Sequence, residues 1–131
     1  MTQRTIRTEL ETKINTWALS KNIPVSWENV SFEKPDNTFI EVFIIPATTL
    51  NPNVTANRNT NYGMLQINIH TKSGAGTKQS ELLAQELIEL FPVVPKSGTV
   101  SIEQTGSILN AMYDAQWRIL PVRFRYRQEN Y

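Results

Sequence analysis

Between Tyr62 and Thr71 apolar and polar side chains change places at every step: Leu65, Ile67 and Ile69 fall on one parity, and Met64, Gln66, Asn68 and His70 on the other. Only an extended strand puts residues two apart on one face. A strand with one apolar face must bury it against another layer. Two segments can supply that layer. Ile6, Leu10, Ile14, Trp17 and Ala18 recur at steps of three and four from about Thr2 to Ser20, and Leu83, Leu87, Ile88 and Phe91 do the same from Thr77 to Phe91. Each predicts a helix with one apolar stripe. Thr2 is the expected N-cap of the first helix. Pro24 bars its continuation, and Pro92 and Pro95 stop the second.

The remaining strands follow from β-branched and aromatic residues bounded by turn chemistry. Val25 to Phe32 is expected as a strand, then a turn over Glu33 to Asn37. Thr38 to Ile45 is apolar on both parities except at Glu41, so it is expected to be buried on both sides and ended by Pro46. Ala47 to Asn61, rich in Asn and Thr and without periodicity, reads as a long loop. Loops beyond about 12–15 residues are uncommon in small domains unless they have a task. Ser73 to Gly76 is a turn, Thr99 to Gln104 a short strand, Gly106 to Ala111 a connection, and Ala115 to Arg127 a final long strand. The expected fold is one α+β domain over residues 1–131, a mainly antiparallel sheet of about five strands with two helices packed on one face.

Composition removes several functions. The chain has no cysteine and one histidine, so disulfides, thiolate metal sites and cysteine nucleophiles are excluded. No apolar run approaches the roughly 18–20 residues of a spanning helix, and the polar start Met1 to Arg7 resembles no secretory leader. A net charge of +1 gives no global pull toward nucleic acid or anionic membrane. No metal and no cofactor are expected.

The candidate chemical motifs fail in detail. Gly74-Ala75-Gly76-Thr77-Lys78 lies between a strand and a helix, where backbone N–H groups favour phosphate. A Walker loop, however, needs Gly-Lys-Ser/Thr, and here Thr77 separates Gly76 from Lys78. His70 reads as an exposed strand histidine with no partner base or nucleophile in view. Glu28, Glu41, Glu81, Glu86 and Glu89 show no metal-ligand spacing. Trp17, Trp27 and Trp117 read as core or interface anchors. One charge pattern has geometry. Arg123, Arg125 and Arg127 share a strand face opposite Val122, Phe124 and Tyr126. That stripe is either a solvated face, a protein contact or a DNA-backbone contact.

As an ordered set, the segments resemble a family of phage tail-terminator-like proteins. The resemblance rests on the first helix followed by Ile23-Pro24-Val25-Ser26-Trp27-Glu28-Asn29-Val30, then Phe39-Ile40-Glu41-Val42 leading to Ile45-Pro46-Ala47-Thr48-Thr49. Tyr62-Gly63-Met64-Leu65-Gln66-Ile67-Asn68-Ile69 follows, with the turn at Gly74 and Gly76, a helix ending Leu90-Phe91-Pro92, and Leu120-Pro121-Val122 with Tyr126-Arg127. The resemblance implies a virion structural protein and not an enzyme. It would form a homo-oligomeric ring, typically of six subunits, at the head-proximal end of the tail tube. Its expected partners are other copies of itself, the tail tube protein and a head-completion protein, with DNA passing through the bore unread and no membrane involved. Expected partner-binding residues are Thr48, Thr49, Asn51, Asn53, Thr55, Arg58, Asn59 and Asn61 in the loop, together with Arg123, Arg125 and Arg127. Another neck or head-closure subunit of the same virion, or a DNA-binding module using the arginine stripe, would also suit these residues.

Overall fold

A computed structural model describes residues 3–28, 30–31, 33, 37–50, 59–74, 76–91, 100–102, 105–114 and 116–130, with side chains omitted at 3–6, 47–50, 59–61, 100–101 and 128–130. The order is α1 (Gln3–Lys21), β1 (Val25–Ser26), β2 (Phe39–Leu50), β3 (Asn59–Lys72), α2 (Lys78–Leu90), β4 (Val100–Ile102), β5 (Ser107–Ile108), β6 (Met112–Asp114) and β7 (Trp117–Asn130). The predicted N-cap, Thr2, lies outside the described residues.

Helix α1 ends before Pro24 acts. Asn22 takes φ 57°, and the N–H groups of Asn22 and Ile23 bond the carbonyls of Leu19 and Ala18 at 3.3 and 3.0 Å. This is a Schellman ending, with asparagine in place of the usual glycine. The chain then turns into β1, which pairs parallel with β2 through Val25–Ile40 and Ser26–Glu41. The expected strand over 25–32 is thus only two residues long where it is described. Val30 N–H bonds the Trp27 carbonyl at 3.3 Å and turns the chain away, and Phe32 lies outside the described residues.

The sheet order is β1-β2-β3-β7-β4, with β5 and β6 also paired to β7. The expected count of five strands is corrected to seven segments, all antiparallel to their neighbours except β1. Segments β4, β5 and β6 share one lane: they meet β7 at Tyr126–Gln128, Val122–Arg123 and Trp117–Ile119 in turn. The region expected as a connection, Gly106 to Ala111, therefore contains strand. A long outer edge on β7 would leave its backbone groups without partners, and three short segments satisfy it piecewise.

Pro46 does not end β2; it pairs with Gly63, and a bulge follows before Thr49. The N–H groups of Ile40 and Ile44 point to the outer edge, where they meet the Pro24 carbonyl at 3.1 Å and Glu28 Oε1 at 2.8 Å. Residues two apart point the same way, so the missing N–H of Pro46 falls on that edge and costs no bond to β3. The loop expected over 47–61 is corrected at both ends, and its middle, 51–58, lies outside the described residues. Strands β2 and β3 continue to Leu50 and from Asn59, paired through Thr49–Asn61 and Leu50–Thr60.

One sheet face carries the core. Ile40, Val42 and Ile44 of β2, Leu65, Ile67 and Ile69 of β3, and Leu120, Val122, Phe124 and Tyr126 of β7 form a single buried cluster. Leu10, Ile14, Trp17 and Ala18 of α1 belong to it, as do Leu83, Ala84 and Leu87 of α2 and the adjoining Phe91. The other face of β2 departs from the expected double burial. Phe39 is buried, Phe43 half-buried and Ile45 41% exposed.

Candidate functional site

The second sheet face holds most of the chemistry. On β7, Arg123, Arg125 and Arg127 stand opposite Gln66, Met64 and Tyr62 of β3. They are not equivalent. Arg123 is half-buried and donates from Nε and Nη2 to Gln66 Oε1 at 3.0 and 2.6 Å. Arg125 is exposed and Arg127 intermediate.

The polar stretch expected to contact partners lies at the same end of the sheet. Thr48 and Thr49 sit in β2, and Asn59 and Asn61 in β3 opposite Asn130 and Gln128 of β7. Asn51, Asn53, Thr55 and Arg58 lie outside the described residues. Asn61 directly precedes Tyr62, whose cross-strand neighbour is Arg127. The fold thereby brings the described ends of the polar stretch and the arginine stripe, distant in sequence, to one end of the sheet.

His70 is not an exposed strand histidine; it is 4% exposed. Its ring stacks on Phe39 at 4.3 Å and meets the Trp117 edge at 6.0 Å. Nε2 lies 2.6 Å from Glu41 Oε1, so with the carboxylate ionised the ring donates from Nε2. Nδ1 is buried and has no hydrogen-bond partner among the described residues. A carboxylate–histidine pair therefore exists, but no described nucleophile meets the second ring nitrogen. Sequence could not reveal the pair, because Glu41 and His70 are distant along the chain and meet, two rows apart on one sheet face, only through the β2–β3 register.

Beside Glu41, an open cavity of about 410 Å³ lies against the β1–β2 edge, lined by Ser26, Trp27, Glu28, Glu41 and Phe43, with Val30 and Ser31 at its wall. Glu28 Oε1 accepts from Ile44 N–H and also meets Arg7 Nη1 at 3.0 Å. Arg7 in turn reaches Glu11 at 3.0 Å. Burial alone would lower the Arg7 pKa, but its bonds to Glu11 and Glu28 outweigh that and raise it, so this cation stays charged.

Elsewhere, Arg118 is buried on the core side and donates from Nη1 to Ser80 Oγ at 2.6 Å. Gly74 and Gly76, the failed phosphate motif, both take φ 90° and serve as a turn before α2. Trp17 and Trp117 are buried, and Trp27 packs half-buried against the core. Among the described residues no group of three or more His, Asp or Glu is placed to hold a metal. No described helix is long and apolar enough to cross a membrane.

Comparison with known proteins adds three findings. A family model described as "Phage tail terminator protein" matches residues 5–126. No curated protein matches the chain in a sequence search. A solved structure superposes with a TM-score of 0.81 at 25% sequence identity, over 100% of this chain and 98% of that one.

Proposed function

Because the chain belongs to the phage tail terminator family, and so has a structural role in a phage tail, we propose that it caps the head-proximal end of the tail tube. In that position it stops tube growth and offers a surface to the head-completion protein. The family match over residues 5–126 carries this reading. The physical requirement is simple. A tube built of stacked rings exposes the same interface at its growing end after every addition. A terminator must bind that interface and present a different one above it. Heterologous contacts with a closing rotation give a ring, here proposed as a hexamer, whose bore passes DNA without reading it. The protein acts without catalysis or cofactor, in the virion tail and, during assembly, in the host cytoplasm.

The surface proposed to meet the tube or a neighbouring subunit is the end of the sheet where the segment Thr48 to Asn61 meets the stripe of Arg123, Arg125 and Arg127. Asparagine and threonine side chains there supply hydrogen bonds of backbone type, and arginine supplies bonds to carboxylates. Tail tubes polymerised with and without the purified protein, imaged by electron microscopy, test the reading. Tubes of limited length bearing a cap at one end are expected. Tubes that keep growing at the same rate, with no cap, would overturn it.

A further inference from the structure

The sheet face that bears the arginines is polarised from side to side. Glu41, Asn68 and Pro121 share one cross-strand row, Phe43, Gln66 and Arg123 the row after next, and Ile45, Met64 and Arg125 the following one on that face. Acid stands at the β2 side, amides in the middle and base on β7. The acidic side opens into the cavity of about 410 Å³.

Each carboxylate in that cavity has one oxygen committed inside the subunit. Glu28 Oε1 holds Ile44 N–H and Arg7, and Glu41 Oε1 holds His70. Among the described residues neither Oε2 makes a hydrogen bond or ion pair. Trp27 and Phe43 supply aromatic walls. Carboxylate oxygens beside aromatic faces suit a guanidinium, which bonds in its plane and stacks on its faces.

Arg125 is the exposed arginine of the stripe, and among the described residues its side chain makes no hydrogen bond or ion pair. Its own Glu41 is out of reach. Two strand spacings of about 4.8 Å and four residues at about 3.3 Å separate the two positions by roughly 16 Å, beyond the combined length of the side chains. Arg125 and Glu41 can therefore meet only between molecules.

We propose that the cavity lined by Trp27, Glu28, Glu41 and Phe43 receives Arg125 of a second copy of this chain. The β7 side of one subunit then seats on the β2 side of the next. The contact joins unlike patches, so every copy both gives and receives it, and repetition through a closing rotation makes a ring. The proposal rests on the terminator reading for the ring, and on the charge layout of this face for which surfaces meet.

Charge exchange tests it on the full chain. Arg125→Glu removes the guest. Val30→Lys places a cation at the mouth of the host cavity, at an exposed residue, without touching Glu28 or Glu41. Native mass spectrometry and sedimentation, on the protein alone and on tail tubes, read association, and circular dichroism melts read folding. Each single variant is expected to melt like the parent and to associate at least tenfold more weakly. The double variant Val30→Lys/Arg125→Glu is expected to recover most of that loss. Parent-like association in both single variants would overturn the proposal, as would a double variant no better than the singles. A parent chain that stays monomeric both alone and on tubes would overturn it too. If Arg125→Glu assembles and still limits tube length, this contact is wrong and the terminator reading stands. If the parent chain forms rings through this contact but never limits tube length, the terminator reading fails instead.

Discussion

Gly63 and Tyr126 face each other across β3 and β7, and the tyrosine ring occupies the space where a side chain on residue 63 would begin. A Cβ there would run into Tyr126 Oη and Cζ and lie 2.7 Å from the Ile45 carbonyl oxygen. Gly63 is therefore fixed by close approach and not by φ, which is not positive at this position. Gly63→Ala is expected to destabilise the protein by about 1–3 kcal/mol through overpacking. Chemical denaturation would measure it. Adding Tyr126→Leu should make the two changes non-additive, with the combined loss smaller than the sum; strict additivity would show that the ring is not the obstacle.

The bond from Arg118 to Ser80 sets up an asymmetry. Ser80 is fully buried, and the Nε of Arg118 is buried with no partner among the described residues. Ser80→Ala removes an acceptor and leaves more of a buried cation unmatched, at an expected cost of about 1.5–3 kcal/mol. Arg118→Met removes the charge and keeps most of the packing volume, so its cost should be smaller or of opposite sign. Finding Arg118→Met the more damaging of the two would mean that the guanidinium is well solvated.

The three arginines of β7 should separate in stability measurements. Arg123→Gln breaks the paired bonds to Gln66 and is expected to cost about 0.5–1.5 kcal/mol. Arg125→Gln changes an exposed side chain and should stay within about 0.5 kcal/mol of the parent. Thermal melts of the two variants side by side provide the check, and equal shifts would contradict the bonding described here.

Phe91 is buried at the end of α2, with its ring 5.2 Å from that of Phe124. Phe91→Ala is expected to cost about 3–5 kcal/mol, as for a filled aromatic site in a core. A loss below about 1 kcal/mol in denaturant midpoints would place the ring at a yielding site or an interface.

Much of the core was legible from parity and period alone. Leu65, Ile67 and Ile69 had to share a face, as did Val122, Phe124 and Tyr126, because a strand alternates. Leu83 and Leu87 had to lie on one stripe of a helix. The family, too, could be read from the order of its segments. Three things depended on what lies across space. Parity told that His70 shared a face with Gln66 and Asn68, but not that Phe39 and Trp117 cover that end of the face, nor that Glu41 sits beside it. Pro46 looked like a stop, because its harm depends on which edge its nitrogen faces, and only the pairing shows that the edge is the outer one. The arginine stripe looked uniform, yet Gln66 holds Arg123, while the exposed side chain of Arg125 has no such bond among the described residues. Sequence determines the direction in which each side chain leaves its strand or helix, since that follows from local backbone geometry. What each side chain meets is decided by register and by the neighbouring strand, which are set by contacts far apart in the chain.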